Sequence, residues 1–230
     1  MNIVLTGGSK GIGLALTKEL LEDKKNSIKV ISRSRGGLEA LQSLYGKDRL
    51  QIIEFDLSEL DKYDRLFNSI NENDSAIDVL INNAGFLIYK PFSEISYEEL
   101  LLSHKVNAMG PFLLIQGLFP RFSEKAQVLN ISSIGGMQGT VKFAGLSAYS
   151  SSKASLNCLT EMLAEEFKNT GIYFNCLALG SVQTKMFETA FPGIKASAKP
   201  QQMARFIVDF LKNSRGIIAG KIIPLSISNP

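Results

Sequence analysis

The chain has no tryptophan, one histidine and two cysteines in 230 residues, and each scarcity removes a class of chemistry. A serine-hydrolase triad or a histidine metal site would rest on His104 alone, and nothing around it suggests either. Cys158 and Cys176 stand in apolar surroundings without ligand neighbours. They read as two buried thiols in a reducing compartment, not as a disulfide or a zinc site. No apolar run is long enough to span a bilayer, and the opening MNIVLTGGSKGIG has no basic segment followed by a cleavage site. The expectation is a cytoplasmic protein without a membrane partner. Net charge is only +3, with acids and bases interspersed, so no basic block offers itself to nucleic acid.

What the chain does have is a regular alternation. Apolar segments at 2–6, 27–32, 50–55, 77–82, 126–132, 172–179 and 220–225 are β-branched and apolar on both faces, as buried parallel strands are. Amphipathic stretches separate them. GIGLALTKELLEDK opens at glycines, and LSELDKYDRLFNSI opens with Ser58 and Asp61 at capping-box spacing. SYEELLLSHKVNAMGPFLLIQGLF is long enough for two helices broken near Gly110-Pro111, and SAYSSSKASLNCLTEMLAEEFK makes one long helix ending before Gly171. Alternation without repeat or linker predicts one α/β domain over 1–230. Its expected form is a doubly wound Rossmann fold with a seven-stranded, mostly parallel sheet and helices on both faces.

Two local patterns carry chemistry. LTGGSKGIGLAL lies between the first strand and the first helix, with Gly7, Gly8, Gly11 and Gly13 giving a tight turn and close backbone approach to phosphates. The second strand ends in VISRSRG, where an acid would mark NAD. Arg33 stands there instead, a guanidinium fork suited to a 2′-phosphate, with Lys10 adding a second charge, so NADP is expected over NAD. Whether Arg35 joins them or faces solvent is open. The other pattern is SAYSSSKASL, which sets Tyr149 and Lys153 one helical turn apart on one face.

Taken in order, these motifs resemble the short-chain dehydrogenase/reductase family. Thr6 to Gly13 match its T-G-x-x-x-G-I-G, Asn82 to Gly85 its N-N-A-G, Asn107 its helix asparagine, and Tyr149 with Lys153 its Y-x-x-x-K. Its serine is most naturally Ser133 in NISSIGG, with Ser132 the alternative, since strand alternation points only one of the two into the site. The resemblance implies an NADPH-dependent reductase of ketones or aldehydes. Tyr149 would be the general acid, Lys153 would lower its pKa and bind the nicotinamide ribose, Ser133 would hold the substrate oxygen, and Asn107 would hold a water leading to solvent. It also implies cofactor contacts from Gly7, Ser9, Lys10, Gly11, Ile12, Gly13 and Arg33, and from Asn83, Ala84 and Gly85. Asp56 and Leu57 would meet the adenine, with opening the next helix as the other reading of Asp56. Asn82 would support the central sheet, and Gly180, Val182 and Thr184 would lie at the nicotinamide carboxamide.

Departures from the family pattern are local. Leu179 replaces a proline before Gly180, MQGTVKFAGLSA enlarges the loop between Ser133 and Tyr149, and SISNP lacks an acid-glycine-glycine ending. KMFETAFPGIKASAKP, about 185–200, is expected to form a small substrate lid. Met186, Phe187 and Phe191 line an apolar pocket or pack in the core, and no cationic cluster argues for a phosphorylated or acyl-carrier substrate. A homodimer or homotetramer is expected, with Leu113, Leu114, Phe119, Leu159 and Leu163 as contact candidates. The main alternative is a non-enzymatic NADP-binding regulatory or scaffold member, and such members tend to lose the tyrosine or the lysine. An epimerase or dehydratase would want a substrate domain for which there is no room.

Overall fold

A computed structural model describes residues 1–71 and 75–226. Seven strands form one sheet: β1 (Asn2–Thr6), β2 (Ser27–Ser32), β3 (Leu50–Glu54), β4 (Ile77–Asn82), β5 (Phe122–Ser133), β6 (Tyr173–Leu179) and β7 (Ile222–Leu225). Their order is β3-β2-β1-β4-β5-β6-β7, and every pairing is parallel. The sheet is therefore wholly parallel, and the expected doubly wound fold is present.

Strand alternation sorts the core into two layers. Ile3, Leu5, Val30, Val79, Ile81, Leu129 and Ile131 face one side, against α1 (Gly11–Leu21), α2 (Leu38–Tyr45) and α8 (Pro200–Asn213). Val4, Ile31, Leu80, Val128 and Phe174 face the other, against α3 (Tyr63–Asn71), α5 (Gly110–Leu118) and α6 (Ser147–Glu166). The register makes the layers coherent, since Leu5 stands beside both Val30 and Ile81. Central strands buried on both faces bring most of the apolar area out of water, which is the main drive to this architecture.

Several local expectations need correction. Ser58 and Asp61 form no capping box: the Asp56 carboxylate accepts from both the Ser58 N–H (2.9 Å) and its hydroxyl (2.8 Å), which turns the chain before a short 3₁₀ segment, Leu60–Lys62. The 97–118 stretch is not broken at Gly110-Pro111. α4 (Tyr97–His104) runs through a π-helical turn, Lys105–Met109, straight into α5. Pro111 has no N–H to donate, and the widened turn before it absorbs the loss without ending the helix. Cys176 is buried but Cys158 is exposed, because it falls on the outer face of α6 between the buried positions Asn157 and Thr160. Leu114 is buried core, and Leu113, Phe119, Leu159 and Leu163 pack half-buried against the same cluster. The SISNP ending beyond Ser226 lies outside the described residues.

Candidate active site

β1 and β4 lie side by side at the centre of the sheet, and the chain leaves them toward opposite edges. The two strand ends are tied to each other. Thr6 Oγ1 accepts from the backbone N–H groups of Asn83 and Ala84, each at 3.0 Å. The Asn83 carboxamide donates back to the carbonyls of Thr6 (3.0 Å) and Gly7 (3.2 Å). Glycine is required where these loops meet: a Cβ on Gly7, held at φ 72°, would sit 2.7 Å from Ala84 Cα, and one on Gly13 would sit 2.1 Å from the Gly7 carbonyl oxygen.

A cleft of about 560 Å³ runs along these carboxyl ends. Gly7, Ser9, Lys10, Gly11, Ile12 and Gly13 line it from the first turn, Arg33 from the end of β2, and Asp56 and Leu57 from the end of β3. Asn83, Ala84 and Gly85 follow from β4, and Gly180, Val182 and Thr184 from β6. Lys10 and Arg33 are exposed there, and neither is paired with an acid among the described residues. Arg35 turns away: it donates to Glu39 (2.9 Å), Glu54 (3.4 Å) and Gln42 (3.5 Å). Asp56 lines the cleft while also holding Ser58. Thr184 caps α7 (Lys185–Ala190) by accepting from Phe187 N–H at 3.2 Å, and Val182 bridges Ala198, which hinges the lid to the end of β6.

The floor of the cleft carries Ser133, Tyr149 and Lys153. The Ser133 hydroxyl accepts from Gly135 N–H at 3.2 Å and lies near enough to the Tyr149 phenol to favour its ionised form. Ser132 also lines the cleft, but its hydroxyl donates to the Lys153 carbonyl at 3.2 Å. Lys153 is only 3% exposed, and its ammonium donates to the Ile131 carbonyl at 2.8 Å, 6.0 Å from the centre of the Tyr149 ring. Burial pushes Lys153 down to about 8 and Tyr149 up to about 12, the latter partly offset by Ser133. Burial thus holds the phenol above its ordinary value, against the lowering that the resemblance implies. At neutral pH the pair is a protonated phenol beside an ammonium. Burial also raises the Cys176 thiol to about 12, so it stays neutral beside Lys153.

Asn107 is fully buried and does not line the cleft. Its carbonyl accepts from Phe86 N–H (2.8 Å), and its amide donates to Phe86 O (2.8 Å), Ser152 Oγ (2.9 Å) and Ser103 Oγ (3.3 Å). Ser152 in turn donates to the Tyr149 carbonyl at 2.7 Å. The side chain thus joins the loop following Gly85, the π turn and the Tyr149 helix. Only one lone pair of Oδ1 remains for a water.

The far end of the cleft was less legible. Leu87, Phe143, Leu146 and Ile194 join Met186, Phe187 and Phe191 in lining it. Phe191 packs between Phe187 (ring centres 5.1 Å apart) and Tyr89 (5.3 Å), so these residues form a wall. Lys185 and Lys195 also line the cleft. Their signal was present as lysines flanking the apolar MF…F…I run.

The buried ammonium has a consequence for stability. Lys153 binds its proton less tightly folded (about 8) than unfolded (10.5). Between these values the unfolded chain holds more protons, so stability rises with pH across that window. Below it the charge costs the fold roughly 3 kcal/mol, less the bond to Ile131. Lys153→Met is expected to unfold in urea no earlier than the parent at pH 7, with the difference narrowing as pH climbs toward 10.5. A clearly destabilised variant at pH 7 would contradict this.

Comparison with known proteins agrees with the architecture. The short chain dehydrogenase family profile matches residues 1–195. An L-2,3-butanediol dehydrogenase of Corynebacterium glutamicum is 30% identical over 191 residues, 80% of this chain and 73% of that protein. A 4-hydroxyisoleucine dehydrogenase mutant complexed with NADH and succinate superposes with a TM-score of 0.88 at 24% identity, covering 98% of this chain and 96% of the other. A short chain dehydrogenase from Burkholderia cenocepacia J2315 in complex with NADP gives 0.85 at 21% identity, covering 97% and 95%. With its fold, its glycine turn and its Ser-Tyr-Lys floor, this chain belongs to the short-chain dehydrogenase family of oxidoreductases.

Proposed function

We propose that this protein is an NADPH-dependent reductase of ketones or aldehydes, with Tyr149 as the proton donor. The observation that carries the reading is that Ser133, Tyr149 and Lys153 line one cleft together with the glycine turn, the Lys153 ammonium lying 6.0 Å from the centre of the Tyr149 ring. The residues fit a dinucleotide: the turn has no room for Cβ atoms at Gly7 and Gly13, and Lys10 and Arg33 offer unpaired cations where a 2′-phosphate would lie. At Gly85 a Cβ would stand 3.8 Å from Lys153 Nζ, so the backbone leaves the lysine open to a ribose. Structural neighbours bound to NADH and to NADP leave that choice to this chain's own residues, and Arg33 in place of an acid favours NADP.

The nicotinamide, when bound, supplies the hydride. The protein supplies the rest. Ser133 and Tyr149 hydroxyls converge on one carbonyl oxygen and stabilise the charge that develops there. Tyr149 gives up its proton to that oxygen. Lys153, charged at neutral pH, stabilises the phenolate left behind and favours its reprotonation. Asn107 fixes the position of the Tyr149 helix through Ser152 and is a positioning residue in this scheme.

Assembly through α4, α5 and α6 is part of the proposal. Tyr97, Leu100, Met109, Phe112 and Met162 expose apolar side chains on these helices and the turn between them, which an isologous contact would cover. Three results are expected. Tyr149→Phe keeps fold and NADPH binding and loses about 10²–10⁴-fold in turnover, read by nicotinamide absorbance with a carbonyl panel. Near-parental rates would remove the assignment and revive a binding role. Arg33→Asp weakens NADPH and spares or improves NADH, and a parent enzyme that prefers NADH at equal concentration would refute the cofactor choice. Light scattering at micromolar concentration finds a dimer or tetramer, and a monomer would count against the interface.

A further inference from the structure

We infer that the substrate is a carbonyl compound with a bulky apolar body and a carboxylate at its far end, the carboxylate being bound by Lys195. This rests on the reductase reading and sharpens it.

The cleft is chemically divided. Its one lining acid, Asp56, and its one lining carboxamide, Asn83, both lie at the cofactor end. Beyond Ser133 and Tyr149 the walls are Leu87, Phe143, Leu146, Phe187, Phe191 and Ile194. No aspartate, glutamate, asparagine, glutamine or histidine among the described residues lines that half. A sugar or polyol would bury hydroxyls there without partners, at a cost for each unsatisfied group. An amine would meet cations and no anion. An aryl or branched alkyl group would be received by the Tyr89–Phe191–Phe187 stack and the exposed side chains of Phe143 (47%) and Ile194 (57%).

The two lid lysines are placed differently. Lys185 follows Thr184, whose methyl is 3.4 Å from where a Cβ on Gly11 would lie, so it belongs to the phosphate turn. Lys195 follows Ile194, past the Phe191 turn, and lines the cleft next in sequence to an apolar wall residue. It forms no ion pair among the described residues. One ammonium without an arginine fork or a second cation beside it matches a singly charged carboxylate better than a phosphate.

The test uses the full chain with NADPH and phenyl ketones bearing a carboxylate two to four methylenes from the carbonyl. Their methyl esters, ω-phosphate analogues and D-fructose serve as comparisons, and butane-2,3-dione as a small control. At least one acid should exceed its ester in kcat/KM by about tenfold, as for a charge-assisted hydrogen bond. Fructose should be far slower than either. Lys195→Gln should bring the acid down to the level of its ester, and Phe191→Ala should raise KM for the phenyl ketones more than for butane-2,3-dione. Equal rates for acid and ester, a gap that survives Lys195→Gln, preference for phosphate, or competitive turnover of fructose would each overturn the inference while leaving the reductase reading intact. If NADPH fluorescence reports binding but every carbonyl is inert, the reductase reading falls and this inference with it.

Discussion

The tie between Thr6 and Asn83 is the constraint on which the site depends. One threonine hydroxyl takes two backbone N–H groups from the far strand, and one carboxamide returns two bonds to the near turn. Four bonds across the β1–β4 split fix the distance between the glycine turn and the segment through Gly85. The split exists because the chain winds toward opposite edges from these strands, which opens a crevice at their carboxyl ends. Gly7 and Gly13 then have to be glycines, since the tie brings backbone against backbone.

From that fixed crevice, polar groups are carried inward at the expense of stability. Lys153 is held as a cation in a place where burial disfavours it, with one carbonyl as its partner. Asn107, Ser103 and Ser152 are fully buried, and they are tolerated because each is bonded. Behind them Asn82 donates to Asn130, which donates to Thr160, a second buried chain across β4, β5 and α6. The first chain runs from α4 and the π turn to α6 and the second from the sheet to α6, so the helix that carries Tyr149 and Lys153 is positioned by directional bonds as well as by packing.

Most of the strands could be read from the sequence because central parallel strands are apolar on both faces, and little else in a soluble chain is. The glycine turn and the Tyr149–Lys153 pair were readable for a related reason: backbone proximity and a shared helix face are local properties. What escaped was set by contacts distant in sequence. Ser133 and Ser132 both line the cleft, and the bond from Ser132 to the Lys153 carbonyl is seen only in the structure. The junction at Pro111 looks like a break until the π turn is seen to accommodate it. Cys158 sits in apolar sequence yet faces out, and Leu114 looks like a contact residue yet is core. α8 carries Met203, Ala204, Ile207, Val208 and Leu211 inward at helical spacing, a pattern present in the sequence itself. The lid lysines are ordinary in sequence and acquire meaning only where the cleft runs.

The central claim is that Lys153 must be charged for Tyr149 to act as an acid, and the pH dependence of kcat/KM for carbonyl reduction tests it most directly. Lys153 loses its proton near pH 8, whereas Tyr149 holds its own to about 12. The rate is therefore expected to be level on the acid side and to fall with a single titration as pH rises through about 8. A profile that stays level to pH 10, or that rises across that range, would contradict the account.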